Sequence, residues 1–327
     1  MNRRWICTDV WMDILPSFDR HKLGLNLALL SYRFDVLVDK HFDGKTTQLT
    51  IWRPITIFQG FGPKPKMSVR IDGKFVDFPF PDRPLPNRIR FRLLQIEYID
   101  HSVITFLHSN KQIWDRSGTK IKLFIENYQS IWDVFTREIW PIFATNIRHL
   151  HFARRDHLDN LRRHISPTLL TDLKQLNSIT SDYVLPDVIA DDGPNSTAGQ
   201  ALSKWLHTPT KNGQSKKLFC CDYLYPLNLE WVNNFKETFL RATTSVSYKI
   251  EIISNTTPIE PFEWVNERTN EKLTLKKDGF GWLLKRCPII AKTVAQKDEN
   301  LDHLNGIRFS LNGNCIGPLS PPTDQSD

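Results

Sequence analysis

A short apolar pair of strand type returns along this chain at an almost fixed interval, and that interval constrains the fold more than any other feature. Ile96, Leu123 and Leu150 stand 27 residues apart, and Leu176 follows 26 further on. The spacing lies within the roughly 20–29 residues of a leucine-rich repeat, in which each unit supplies one strand and one helical connection. Ile147, Leu150 and Phe152 also give the L-x-x-L-x-L order, and Asn270 to Leu275 gives a weaker version. Arg155 occupies the position where an asparagine would build the internal ladder of such a repeat. A strand-plus-helix unit cannot bury both of its faces alone. Stacked units close a continuous core beneath a curved parallel sheet.

The expected strands carry alternating core pairs: Ile96 and Tyr98, Leu123 and Ile125, Leu150 and Phe152, Leu218 and Cys220, Ile250 and Ile252, Leu273 and Leu275, Phe309 and Leu311. Helical spacing fills the gaps at Val103–Trp114, Ser130–Phe143, Ala201–Leu206 and Asn228–Leu240, the last with Trp231, Phe235 and Phe239 on one stripe. Ser130 to Asp133 reads as a capping pattern, and Gly281 to Arg286 as one short turn. Upstream, residues 45–87 read as a strand section. Leu49–Trp52 and Ile55–Phe58 are two strands there, and Asp72-Gly73 joins Met67–Ile71 to Lys74–Phe78 as a hairpin. Prolines from Pro79 to Pro86 close that section. The expectation is an α/β chain with a leucine-rich-repeat-like array over residues 88–316, followed by a Pro-, Ser- and Asp-rich tail over 317–327 that is disordered.

The N-terminal stretch is of another kind. Thr8 or Asp9 can cap a helix that carries Val10, Trp11, Ile14 and Leu15. Pro16 and Asp19 to Lys22 interrupt it, Leu23–Leu30 is apolar on nearly all sides, and Arg33, Phe34, Leu37 and Val38 extend a third helix toward Asp43-Gly44. So small a piece has more apolar side chains than it can bury within itself, which points to a surface made for another protein.

This order of residue types resembles the F-box. Ile6 takes the apolar place before the first helix and Asp9 the acidic one, while Ser31, Arg33 and Phe34 stand where that family shows Ser, Arg and an aromatic residue. Cys7 stands where the family has proline. The segments Leu23–Phe42, Asp100–Ser109 and Gly199–Leu206 are also similar to the expanded F-box families of plant-parasitic nematodes. The resemblance implies a three-helix F-box over residues 4–44 and a substrate receptor of a Skp–cullin–F-box ubiquitin ligase. Its implied partners are a Skp-type adaptor, through it a cullin, and a protein substrate that the residues do not identify. Contacts to the adaptor are expected from Ile6, Val10, Trp11, Ile14, Leu15, Phe18, Leu23 and Leu27. Lys122, His149 and His151, polar positions between core residues on the strands, are expected to supply part of the substrate surface.

Such a receptor needs no catalytic group, and no P-loop, dinucleotide fingerprint, kinase set or HExxH appears. No cofactor or metal is expected. His149, His151 and His157 lack a cysteine or carboxylate at ligand spacing. The five cysteines have no CxxC spacing; Cys220 and Cys221 should point to opposite sides of a strand, and Cys7, Cys287 and Cys315 read as small buried apolar residues. With no apolar run of membrane-spanning length and no signal-peptide pattern at Met1–Trp5, a cytoplasmic or nuclear location is expected. Net charge is +7, from 43 basic and 36 acidic residues, which brings partners with acidic surfaces into consideration, although the charges are mixed along the chain. The alternative is a basic nucleic-acid-binding protein using Arg148, Arg154, Arg155, Arg162 and Arg163, although Asp156 and Asp159 interleave that patch.

Overall fold

The computed structural model describes residues 6–19, 22–42, 49–59, 64–71, 74–81, 84–85, 89–114, 119–125, 128–210, 213–222, 229–254, 259–279 and 281–289. Asp43-Gly44, Phe309 and Leu311, Cys315 and residues 317–327 lie outside them. Among the described residues the fold is mixed α/β, built on one twelve-stranded sheet.

Three short helices come first: α1 (Thr8–Ile14), then α2 (Ala28–Leu30) entered through a π-helical turn at Leu23–Leu27, then α3 (Tyr32–Phe42). The N-cap of α1 is Cys7, one residue ahead of the expected Thr8 or Asp9, and no side chain caps it. A 3-10 turn at Leu15–Ser17 ends the first helix beside Pro16, whose missing N–H cannot continue the ladder.

The strands are β1 (Leu49–Gln59), β2 (Pro65–Ile71), β3 (Lys74–Pro79), β4 (Ile89–Ile96), β5 (Thr119–Leu123), β6 (Ile147–Phe152), β7 (Ser178–Asp182), β8 (Lys216–Asp222), β9 (Tyr248–Ser254), β10 (Phe262–Asn266), β11 (Glu271–Asp278) and β12 (Gly281–Pro288). Their order across the sheet is β10-β11-β12-β9-β8-β7-β6-β5-β4-β1-β2-β3. From β4 to β9 each strand lies beside the next in sequence and parallel to it, with no reversal of direction along the sheet. Parallel neighbours need a crossover, which here runs through helices. These are α4 (His101–Ser109) and α5 (Lys111–Trp114), then α6 (Gln129–Val134), a π turn at Phe135–Ile139 and α7 (Trp140–Phe143). After them come α8 (His157–His164), α9 (Leu169–Asp172), α10 (Ala198–His207) and α11 (Leu229–Arg241). Successive connections touch one another, α5 on α7, α6 on α8 and α9 on α10, as expected of helices sharing one side of a sheet.

Register keeps the recurring apolar residues in rows but not at the even spacing: Ile96 pairs with Leu123, whereas Leu123 pairs with Phe152 rather than Leu150, and Leu176 lies ahead of β7, where Ile179 takes the inward place. Ile55, Leu94, Ile121, Leu150, Ile179, Leu218, Ile250, Leu284 and Leu275 are partners strand to strand, and all are buried. A second row runs through Ile57, Ile96, Leu123, Phe152, Ser181, Cys220 and Ile252. Each turn of chain thus adds one rung to two apolar ladders, and a one-residue slip would turn the whole set to the other face.

Several expectations need correction. Tyr98 and Ile125 lie just beyond their strands rather than within them. The two strands expected before Gln59 are a single β1 with an irregularity between Ile51 and Pro54. β7 is an unforeseen strand, hidden because its second inward residue is Ser181 instead of an aliphatic one. Gly281–Arg286 is strand, not turn, because Trp282, Leu284 and Arg286 all face inward at period two. Leu273 and Leu275 do lie in a strand, but β10, β11 and β12 pair antiparallel with one another and with β9, so the parallel array stops there. The four residues between β10 and β11 are too few for a crossover, and Asn270 takes a left-handed turn conformation (φ 53°) within them. Gly281 is required where it stands, since a Cβ there would collide with the Ile252 carbonyl of β9. The expected cap at Ser130 is absent, as the helix already begins at Gln129. A capping box forms instead at Thr197, whose hydroxyl accepts from the Gln200 N–H while the Gln200 side chain accepts from Thr197 N–H.

Candidate interaction surfaces

In the helical unit the expected adaptor residues divide by burial. Leu15 and Leu23 are 0% and 1% exposed. They belong to the core, and their assignment to an interface is corrected: a side chain with no surface cannot contact a partner in the folded state. Trp11 and Leu27 are half-buried against that core, with Trp11 edge-on to Phe34 at 4.9 Å, and Ile14 is also half-buried. Ile6, Val10 and Phe18 remain exposed. Three further apolar residues that sequence reasoning did not single out are exposed as well: Leu30 and Tyr32, more so than any of these, and Val36. Helical spacing alone could have flagged Tyr32 and Val36, which sit one turn apart on α3, opposite the buried Leu37, Val38 and Phe42. Arg33 donates from Nη2 to the Ile6 carbonyl at 2.6 Å, bringing the entry segment to the first turn of α3. Of the sixteen exposed large apolar residues among those described, six fall within residues 6–42, so the apolar surface is concentrated there.

The second surface is the sheet face opposite the buried ladders. Lys122, His151 and Thr180 are register partners on it, half-buried, with Gln95 beside Lys122. His151 Nε2 lies 3.0 Å from Asp182 Oδ2. Burial lowers the Lys122 pKa, against the opposite pull of the Asp182 and Glu97 carboxylates. His149 is more enclosed than expected. It is 8% exposed, so its reading as an exposed contact residue is corrected. Its Nδ1 lies 3.0 Å from Ser178 Oγ on the neighbouring strand. Burial, reinforced by the charge of Lys120 and by His151, lowers its pKa to about 3, so the imidazole is neutral at physiological pH.

The third histidine is remote from these two in character. His157 is fully buried, with Nε2 3.0 Å from the Ile125 carbonyl and its ring edge-on to Trp132. Among the described residues no group of three or more His, Cys, Asp or Glu could hold a metal. Cys220 is buried and Cys221 is not, as the strand alternation requires, whereas Cys7 is exposed and Cys287 half-buried, contrary to the apolar-core reading.

The basic patch is partly internal. Arg162 is 5% exposed and donates to the carbonyls of Pro167, Ser196 and Gly193 and to Ser196 Oγ, tying the loop before α10 to α8. An arginine spent in this way cannot contact phosphate. Arg154 pairs with Asp156 at 3.4 Å and Arg163 donates to Asn160 at 3.2 Å.

Sequence reasoning also missed the buried pair Arg286–Glu271, 2.6 Å apart on adjacent strands and both essentially inaccessible. Burial pushes the Glu271 pKa upward, but hydrogen bonds from Arg286 and Ser245 outweigh it and hold the carboxyl below its usual range. Val246 N–H donates to the same carboxylate, and Arg286 also donates to the Thr244 carbonyl. Every partner is structural, so the pair is a fold element without access to a substrate. Nearby, a crevice lined by Val188, His207, Phe235, Thr238, Phe239 and Tyr248 has no room for a guest of even water size. No described helix is long and apolar enough to cross a membrane. No family model, curated protein or solved structure matches the chain.

Proposed function

We propose that this chain is a non-catalytic receptor subunit of a Skp–cullin–F-box ubiquitin ligase. Its N-terminal helical unit docks on a Skp-type adaptor, and its leucine-rich-repeat-like sheet region holds a protein substrate. The observation that carries the reading is the concentration of exposed apolar side chains within residues 6–42, on the three N-terminal helices and the segments flanking the first: Ile6, Val10, Phe18, Leu30, Tyr32 and Val36. Single exposed apolar residues are ordinary on protein surfaces; a cluster on one small unit marks a surface that a partner covers. The adaptor contacts are accordingly Ile6, Val10, Phe18, Leu30, Tyr32 and Val36, with Trp11, Ile14 and Leu27 at their base, and Leu15 and Leu23 serve as the core that holds the helices together. The sheet supports the other half of the reading. Consecutive parallel strands with helical connections make a long, rigid face, suited to holding a partner near a transfer enzyme on one scaffold.

The test is reconstitution. The purified chain is mixed with a Skp-type adaptor and resolved by size-exclusion chromatography. Co-elution as a stoichiometric complex that then recruits a cullin is the expected result. Separate elution at micromolar concentrations of both proteins overturns the reading.

A further inference from the structure

Along one row of the sheet face turned away from the ladders, four of six neighbouring strands carry a lysine. Lys120, His149, Ser178, Lys217, Lys249 and Lys285 are successive register partners on β5, β6, β7, β8, β9 and β12. Lys217 and Lys285 are exposed, and Lys120 and Lys249 are half-buried. His149 is neutral there, so the charge of the row comes from its lysines. Three carboxylates sit to one side of the row: Glu251, 2.7 Å from Lys249, in the next row, Asp182 at the carboxyl end of β7, and Glu97 just past β4. Beyond Lys285 the same row continues through Thr274 to Glu263 at the far edge of the sheet, where Lys272 lies 3.6 Å from that carboxylate.

We infer that this lysine row binds an extended acidic polypeptide segment laid across the strands, and that such a segment is what the receptor recognises in its substrate. The inference rests on the receptor reading above. Strands are about 4.8 Å apart, so the five spacings from β5 to β12 span about 24 Å, the length of about seven extended residues. Acidic side chains on one edge of such a segment reach the lysines, and its neutral backbone passes over Ser178. A nucleic-acid strand fits less well. Its phosphates favour an uninterrupted cationic surface, and here Glu251 borders the row one step further along the strands and Asp182 two steps. Long-range attraction of this kind sets partner choice and salt dependence more than ultimate affinity.

The full chain is titrated with a fluorescent heptaglutamate peptide and, in parallel, with a labelled uridine heptanucleotide, at low and high salt. The peptide is expected to bind and to weaken as salt rises. A Lys217→Glu/Lys285→Glu variant should bind it at least about tenfold less tightly. Lys204→Glu, on the exposed side of α10, should change nothing. Unfolding temperature is read for each variant, and if the glutamate pair unfolds, Lys217→Gln/Lys285→Gln carries the test. The inference falls if the wild-type chain ignores the peptide, if the folded double variant binds it unchanged, or if the oligonucleotide binds more tightly and only its binding is lost. Adaptor co-elution separates the two readings. A double variant that keeps the adaptor and loses the peptide supports both. Peptide capture without adaptor binding sinks the ligase reading alone, and adaptor binding without peptide capture sinks the lysine row alone.

Discussion

The N-terminal helices and the sheet region treat the same kind of side chain in opposite ways. Across the sheet, one aliphatic row and one mixed row interrupted by Ser181 pass from strand to strand in register and are buried. In the helical unit Leu15, Leu23, Ala28, Leu37, Val38 and Phe42 are buried, yet as many large apolar residues stay in solvent. The difference follows from geometry. A stacked strand-and-helix array gives each apolar residue a neighbour on both sides, whereas a unit of three short helices has too little interior for the apolar residues it carries. Apolar residues therefore report the fold in one region and a partner in the other.

The contrast can be broken most forcefully at the buried ion pair. Arg286→Leu leaves the Glu271 carboxylate enclosed without its partner and should cost about 3–5 kcal/mol in denaturant unfolding. Replacing both members with leucine should cost clearly less, because no buried charge remains. On the ladder itself, Leu150→Ala removes a fully buried side chain between Ile121 and Ile179 and should cost about 2–5 kcal/mol.

A pH series gives the next effect. His149 has a folded pKa of about 3, below the ordinary 6.5 of an unfolded histidine. The unfolded chain therefore binds more protons between those values, and this contribution to stability is complete above pH 6.5 and lost as the pH falls toward 3. Burial lowers the pKa of His157 and His207 as well, so they share in the loss. His149→Gln should flatten the decline in unfolding free energy between neutral and mildly acidic pH without abolishing it. An unchanged slope would place the histidine in solvent. Smallest of all is Leu30→Ala, which should shift stability by no more than about 0.5 kcal/mol, since Leu30 is 69% exposed.

Which of these features could be read from the residues alone depends on how local their cause is. The near-even spacing of Ile96, Leu123 and Leu150 marks adjacent parallel strands because successive crossovers consume similar lengths of chain, although Leu150 pairs with Ile121 and Leu123 with Phe152, so the register itself was not legible. Ser181 in the β7 ladder breaks the apolar pair that marked the other strands, so that strand was silent. Gly279, at φ 56° directly after the last paired residue Asp278 of β11, is a turn signal that would have revealed the β11–β12 hairpin. Leu15 and Val10 look alike in an amphipathic helix; only packing against α3 and its neighbours separates the buried one from the exposed one. The Glu271–Arg286 pair joins residues whose opposition depends on strand register, which no composition reveals. The lysine row is of the same kind, since Lys120, Lys217, Lys249 and Lys285 are scattered in sequence and aligned only by the sheet.

The claim that exposed apolar residues of the helical unit form a docking surface is tested most directly by adaptor affinity in a Val10→Asp/Leu30→Asp variant, read by calorimetry beside its unfolding temperature. Both sites are exposed, at 44% and 69%, so the fold should be retained. In a complex each carboxylate would enter a desolvated apolar contact without a partner. The account predicts at least about a hundredfold loss of affinity, a cost of about 2.7 kcal/mol, with the unfolding temperature unchanged. Wild-type affinity in the folded double variant would contradict it.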